Sequence, residues 1–202
     1  MMDVAFREEL ETERLRLKIL REDNAEVYLA LVAKNRERLQ ESFQVTVSKV
    51  SDIKSTKAFL KKAYNELRYG KLALYGLWYK GALAGMVTIK DISWQVPKCE
   101  VSYFVAEEYE GQGLASEALK KVCFYCFSEL KILKICARII PDNSRSIRLV
   151  QKLGFELEGT LKADYKTGLG DLIDTKYYGL VNEAALAKYK SLDTTQNNAS
   201  LF

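Results

Sequence analysis

The stretch from Val101 to Leu119, VSYFVAEEYEGQGLASEAL, constrains the rest of the chain more than any other. It opens as an alternating apolar run, passes an acidic turn, places glycines at Gly111 and Gly113, and continues with Leu114, Ala118, Leu119 and Val122 at helical spacing. That pattern predicts strand, glycine turn, helix. Glycine lets the backbone turn sharply and approach a ligand with no Cβ in the way. The N–H groups of a helix's first turn have no intrahelical partner, and together with the helix dipole they favour an anion such as a phosphate. The stretch therefore reads as a pyrophosphate cradle.

The flanking sequence fills in an α/β scaffold. Residues 1–12 read as a polar lead-in without ordered structure, and Arg14 to Leu20 alternates as a strand should, followed by a turn and helix cap at Arg21-Glu22-Asp23. A helix is expected from Ala25 to about Leu39 on Val27, Leu29, Leu31 and Val32, and FQVTVSKV at 43–50 reads as a loop or short strand. Asp52 caps a second helix to about Arg68, striped by Ile53, Phe59, Leu60, Tyr64 and Leu67. Lys71 to Tyr79 and Leu83 to Trp94 form a hairpin about Lys80-Gly81, and a third strand, Lys98 to Ala106, leads into the glycine turn and a helix to about Leu130. Ile132 to Ile140 is a strand, Asp142-Asn143 caps a short helix that Gly154 ends, and Phe155 to Leu161 and Ile173 to Val181 add two more strands. With no repeat and no evident linker, residues 1–202 are expected to form one domain, its core at about 12–181 and its polar tail at 191–202 frayed.

Composition excludes several chemistries. The chain has no histidine, which removes Ser–His and Cys–His nucleophile pairs and His-bearing zinc sites, and no metal is expected. Proton transfer then falls to carboxylates, Tyr, Cys, Ser or water. Cys123 and Cys126 form the single CxxC, but inside a helical pattern, so they and Cys99 and Cys136 are expected to be buried thiols. The net charge of +4 is spread among interleaved acids and bases, which gives no case for a nucleic-acid partner. No apolar run approaches the roughly 20 residues that span a bilayer, and the charged N-terminus is unlike a signal peptide. A cytoplasmic protein without a membrane partner is expected. A nucleotide-hydrolysing P-loop is disfavoured because no Gly-Lys-Ser/Thr follows the turn, and a dinucleotide fingerprint would want glycine where Ser116 stands.

Taken together, TERLRLKIL from Thr12, CEVSYFV from Cys99, YEGQGLASEAL from Tyr109, NSRSIRLVQKLGF from Asn143 and FELEGTLKADY from Phe155 resemble the GNAT acetyltransferases, in the branch of the RimJ and RimL ribosomal-protein N-terminal acetyltransferases. The resemblance runs from about Thr12 to Val181. It implies a splayed, mostly antiparallel sheet of about seven strands flanked by helices, with acetyl-CoA as acetyl donor. Glu110, Gly111, Gln112, Gly113, Leu114 and Ala115, with Ser116 following, match the loop whose amides hold the pyrophosphate, except that Glu110 stands where the family has Gln or Arg. A carboxylate beside a pyrophosphate is repulsive, so its side chain is expected to face solvent.

The remaining site residues follow from the same resemblance. Phe104 and Val105 fall where the strand edge pairs with the pantetheine arm and an amide polarises the thioester carbonyl. Asn143 and Ser146 match an Asn-x-x-Ser that contacts pantetheine. Val150 replaces the Tyr that protonates the thiolate in many members, and Ser146 is the candidate for that role. Glu158 and Glu100 are the alternative general bases; Lys120, Arg145, Arg148 and Lys152 could reach the phosphates at the cofactor's adenosine end, with Arg148 and Lys152 preferred and a solvated basic helix face the alternative. The implied acceptor is a protein N-terminal α-amine or a small amine such as a polyamine, an amino acid or an antibiotic. The rival reading is a non-catalytic acyl-CoA-binding module, and a homodimer is compatible with either.

Overall fold

The computed structural model describes residues 6–187. The elements are β1 (Glu9–Glu11), β2 (Leu15–Ile19), α1 (Ala25–Lys34), α2 (Arg36–Leu39), α3 (Gln44–Lys49), α4 (Ile53–Arg68), β3 (Ala73–Tyr79), β4 (Ala82–Ser93), β5 (Lys98–Val105), α5 (Leu114–Ser128), β6 (Lys134–Ile139), α6 (Ser144–Lys152), β7 (Glu156–Lys166) and β8 (Leu172–Val181). The strands form one eight-stranded sheet in the order β1-β2-β3-β4-β5-β6-β8-β7. All neighbours are antiparallel except β5 and β6.

Alternation along the central strands divides the core into two layers. Tyr75, Leu77, Val87 and Ile89 pack on one face with Leu119 and Val122 of α5, while Leu74, Met86 and Phe104 pack on the other with Tyr28 and Val32 of α1 and Leu60 of α4. The four cysteines are free and buried. α4 starts where expected, on a reciprocal cap: Ser55 N–H donates to Asp52 Oδ1 at 2.8 Å and Asp52 N–H to Ser55 Oγ at 3.1 Å.

Four expectations need correction. The lead-in is structured from Phe6 onward: Phe6 and Leu10 are buried, and β1 extends the sheet to eight strands, with Glu9 and Glu11 meeting Arg16 across the ladder. The helix expected to about Leu39 breaks at Asn35, whose side chain turns back to the Leu31 carbonyl at 2.8 Å. The segment 43–50 is helical, as α3, despite its alternating β-branched residues. Thr46, Val47 and Val50 are buried there, and Arg36 donates to the carbonyls of Val47 (2.9 Å) and Val50 (2.6 Å) at the helix's C-terminal end. Last, β7 continues past Leu161 to Lys166 through a register shift, with Ala163 at φ 48°. The tail call at 191–202 lies outside the described residues, and among those residues no helix is long and apolar enough to cross a membrane.

Candidate active site

The site begins as a break in the sheet. β5 and β6 pair only at Lys98–Lys134, Cys99–Ile135 and Glu100–Cys136, whereas β5 stays paired with β4 as far as Gly85–Val105. The last five residues of β5 therefore have an open edge. Ala106 N–H donates to Ala84 O at 2.8 Å, on the β4 side. Backbone polar groups alternate along a strand, so the N–H and C=O of Phe104 also face β4, while those of Tyr103 and Val105 face the gap. Phe104 contributes its ring instead, edge-on to Phe43 at 5.3 Å.

A cavity of about 850 Å³ fills the opening, lined by α2 and the segment after it, the end of β5, the glycine turn and the first turns of α5 and α6. Of the residues singled out from sequence, Phe104, Val105, Glu110, Gly111, Gly113, Leu114, Ala115, Ser116, Asn143, Ser146 and Arg148 line it; Gln112, Lys152, Glu100 and Glu158 do not.

The turn is shaped to leave amides free. Gly111 and Gly113 sit at φ 73° and 77°, where a side chain is strained, and a Cβ at Gly111 would meet nothing within 4 Å. Gly113 is the N-cap of α5 and no side chain caps that helix, in contrast to α4 and α6. The N–H groups of its first turn thus face the cavity as an anion site, and this cradle fits a diphosphate. Sequence reasoning missed the brace behind it. Arg14 donates to Gln112 O at 2.9 Å and to Glu117 Oε2 at 2.7 Å, and Glu117 also accepts from Thr12 Oγ1 at 2.6 Å and from Arg14 N–H at 2.9 Å. The signal was a carboxylate in the first turn of α5 and an arginine just before β2, 103 residues apart.

Burial pushes the Glu117 carboxyl up, but the bonds from Thr12 and Arg14 outweigh it and hold the group below its ordinary value of 4.5. A depressed carboxyl contributes stability that is fully present above its unfolded value and is lost as pH falls through the folded one. Stability is therefore expected to drop as pH falls below 4.5. Glu117→Gln should flatten that part of the profile, as read from urea midpoints at successive pH values.

On the opposite wall, Asn143 Oδ1 accepts from Ser146 N–H at 3.0 Å, which caps α6 and leaves the Asn143 amide nitrogen with no protein partner among the described residues. Tyr103, another residue missed from sequence, reaches across the gap to Ser146 O at 3.5 Å. Burial pushes its phenol up to about 12, opposed by the Ser146 hydroxyl, so it remains a neutral proton donor. Val150 is fully buried in the core.

The carboxylates are arranged differently from expectation. Glu110 does not point to solvent: its two oxygens take Arg38 of α2 and Arg145 of α6, and its side chain is 28% exposed. Glu100 is buried between Lys90 at 2.9 Å and Arg138 at 2.7 Å, so both of its oxygens are engaged. Glu158 pairs with Lys134 at 2.6 Å through Oε2 only. The β7–β8 hairpin arches over this face, with Gln44 N–H donating to Tyr165 Oη at 3.0 Å and Gly168 N–H to Gln40 O at 3.1 Å.

Residues 14–156 match the family described as the acetyltransferase (GNAT) domain. Among curated relatives, the uncharacterized N-acetyltransferase p20 of Bacillus licheniformis is 37% identical over 84 residues, 42% of this chain and 47% of the relative. The spermidine N(1)-acetyltransferase of Escherichia coli (strain K12) is 32% identical over 85 residues, 42% of this chain and 46% of the relative. The chain thus spans about half the length of these relatives. In three dimensions it is similar to the RimL ribosomal L7/L12 α-N-protein acetyltransferase in complex with coenzyme A, with a TM-score of 0.80, 22% identity, and coverage of 84% of this chain and 95% of that one. A half-open mixed sheet, a glycine turn at its mouth and a family match over most of the length agree, and the chain belongs to the GNAT acetyltransferase domain family.

Proposed function

We propose that the protein transfers the acetyl group of acetyl-CoA directly to a primary amine, and that this amine is a protein N-terminal α-amine. One observation carries the reading: a strand edge left open for five residues ends at an uncapped helix N-terminus, so an extended arm and a diphosphate on one molecule can be held together. The amides of the turn at 111–116 hold the diphosphate. Tyr103 offers its backbone N–H and C=O to the arm, joined by the Asn143 amide, and the Val105 N–H stabilises the oxyanion, while the Val105 carbonyl takes Arg38. Holding amine and thioester together lowers the entropic part of the barrier. Ser146, backed by the Tyr103 phenol, protonates the departing thiolate.

The amine's proton leaves through water to Glu158. That choice rests on its single cation partner among the described residues, Lys134, whereas Glu100 is held by both Lys90 and Arg138. Glu100 then serves the sheet, by tying β4 to β6 across β5.

The α-amine is supported by the structural likeness to an enzyme whose name specifies protein N-termini. The spermidine relative supports a second reading, a polyamine acceptor. Thiol release on a panel of N-terminal peptides and spermidine separates the two: peptides are expected to have the higher kcat/KM, and turnover of spermidine alone would overturn the acceptor assignment. Binding with no turnover of any amine would support a non-catalytic acyl-CoA module. On the preferred acceptor, Glu158→Gln and Ser146→Ala are each expected to lower kcat by about 100-fold with KM for acetyl-CoA unchanged. Undiminished kcat in Glu158→Gln would reject it as the base.

A further inference from the structure

The cavity contains an ion-pair bridge whose location bears on how its ligand enters. Arg38 comes from α2 on one wall and Arg145 from the first turn of α6 on the other, and Glu110, the residue before the glycine turn, takes one guanidinium with each of its oxygens. All three line the cavity beside Gly111 and Gly113. Arg38 has a second role, donating from Nη2 to Val105 O at 2.8 Å, so it also holds the top of the open strand edge. The Glu110 carboxylate thus occupies two guanidinium groups at the place where the turn presents its free amides.

Guanidinium binds carboxylate and phosphate in the same forked geometry, and the more highly charged partner prevails. We infer that Arg38 and Arg145 form a phosphate-binding pair for the diphosphate of the ligand, and that Glu110 is a built-in competitor that must release them for the ligand to bind. The inference rests on the transferase reading for the identity of that ligand, acetyl-CoA, but its chemistry requires only a diphosphate. It also accounts for an acidic residue at the edge of an anion site: the carboxylate keeps two cations paired in the free protein, at the expense of affinity in the complex. Arg145 is the more exposed of the two cations, at 74% against 36% for Arg38, and so is the one with more freedom to follow a phosphate.

The test is titration calorimetry on wild type, Glu110→Gln and Arg145→Ala with three probes: acetyl-CoA, acetyl-pantetheine, which lacks the diphosphate, and inorganic pyrophosphate. Glu110→Gln keeps the side chain's shape and removes its charge. It is expected to bind acetyl-CoA and pyrophosphate about tenfold more tightly than wild type, the scale of one charge-assisted hydrogen bond, with acetyl-pantetheine unchanged. Arg145→Ala is expected to weaken acetyl-CoA about tenfold and leave acetyl-pantetheine alone. Equal or weaker binding of both diphosphate probes to Glu110→Gln would overturn the inference, as would equal tightening of acetyl-pantetheine. Should Glu110→Gln misfold by circular dichroism, Glu110→Ala carries the same expectations. If neither wild type nor variant binds acetyl-CoA while pyrophosphate still binds Glu110→Gln more tightly, the transferase reading fails and the arginine pair stands.

Discussion

Replacing Gly85 by alanine is expected to lower the unfolding free energy by about 2 kcal/mol and to abolish acetyl-CoA binding. Elsewhere in a strand the same change stabilises by roughly 0.5–1 kcal/mol, because glycine gains most from unfolding. Here the sign reverses. A Cβ at Gly85 would lie 2.3 Å from Phe104 O and 2.9 Å from Val105 Cα, and both of these are backbone, with no side-chain end to swing aside. β4 and β5 must separate at the two residues that border the open edge, so the site is distorted along with the fold. Urea unfolding and calorimetry measure the two effects. An alanine variant as stable as wild type that binds acetyl-CoA normally would show that this close approach does not shape the site.

Val105→Pro is expected to separate chemistry from stability, lowering kcat/KM by about 100-fold or more while the protein stays folded. Proline removes one N–H, and at this residue that N–H faces the gap, so no bond of the β4–β5 ladder is lost. Val105 ends β5, and Phe104 before it is already extended, as proline requires of its neighbour. Phe104→Pro is the matched control, since its N–H faces β4 and its loss breaks the ladder. Steady-state kinetics with thermal unfolding of both variants reads the difference. Full activity in a folded Val105→Pro would remove that amide from the mechanism.

Much of this arrangement was legible in the sequence because it is local. The glycine turn, the Asp52 cap and the Asn143 cap each depend on residues a few positions apart, and so did the alternation that gave β2 to β5. Features that depend on distant partners were not legible. α3 is a helix because Arg36 takes its last carbonyls and the core takes Val47 and Val50, neither of which its own alternating pattern reveals. β1 is too short to show a period. Glu110 was expected to face solvent because a carboxylate repels a neighbouring diphosphate; the two arginines that hold it come from elements 72 and 35 residues away. Which of Phe104 and Val105 turns its backbone to the gap needed only the pleat, but the pleat could be anchored only once a single hydrogen bond, Ala106 to Ala84, was known.

Among the described residues, three register pairs between β5 and β6 join five strands on one side to three on the other. Such a sheet behaves like forceps, its blades meeting at the pivot and parting toward the tips. An extended guest laid between the blades supplies rungs that the polypeptide itself omits. On the proposed reading, continuity of the sheet is a property of the complex, and acetyl-CoA is a spare strand as well as a reactant.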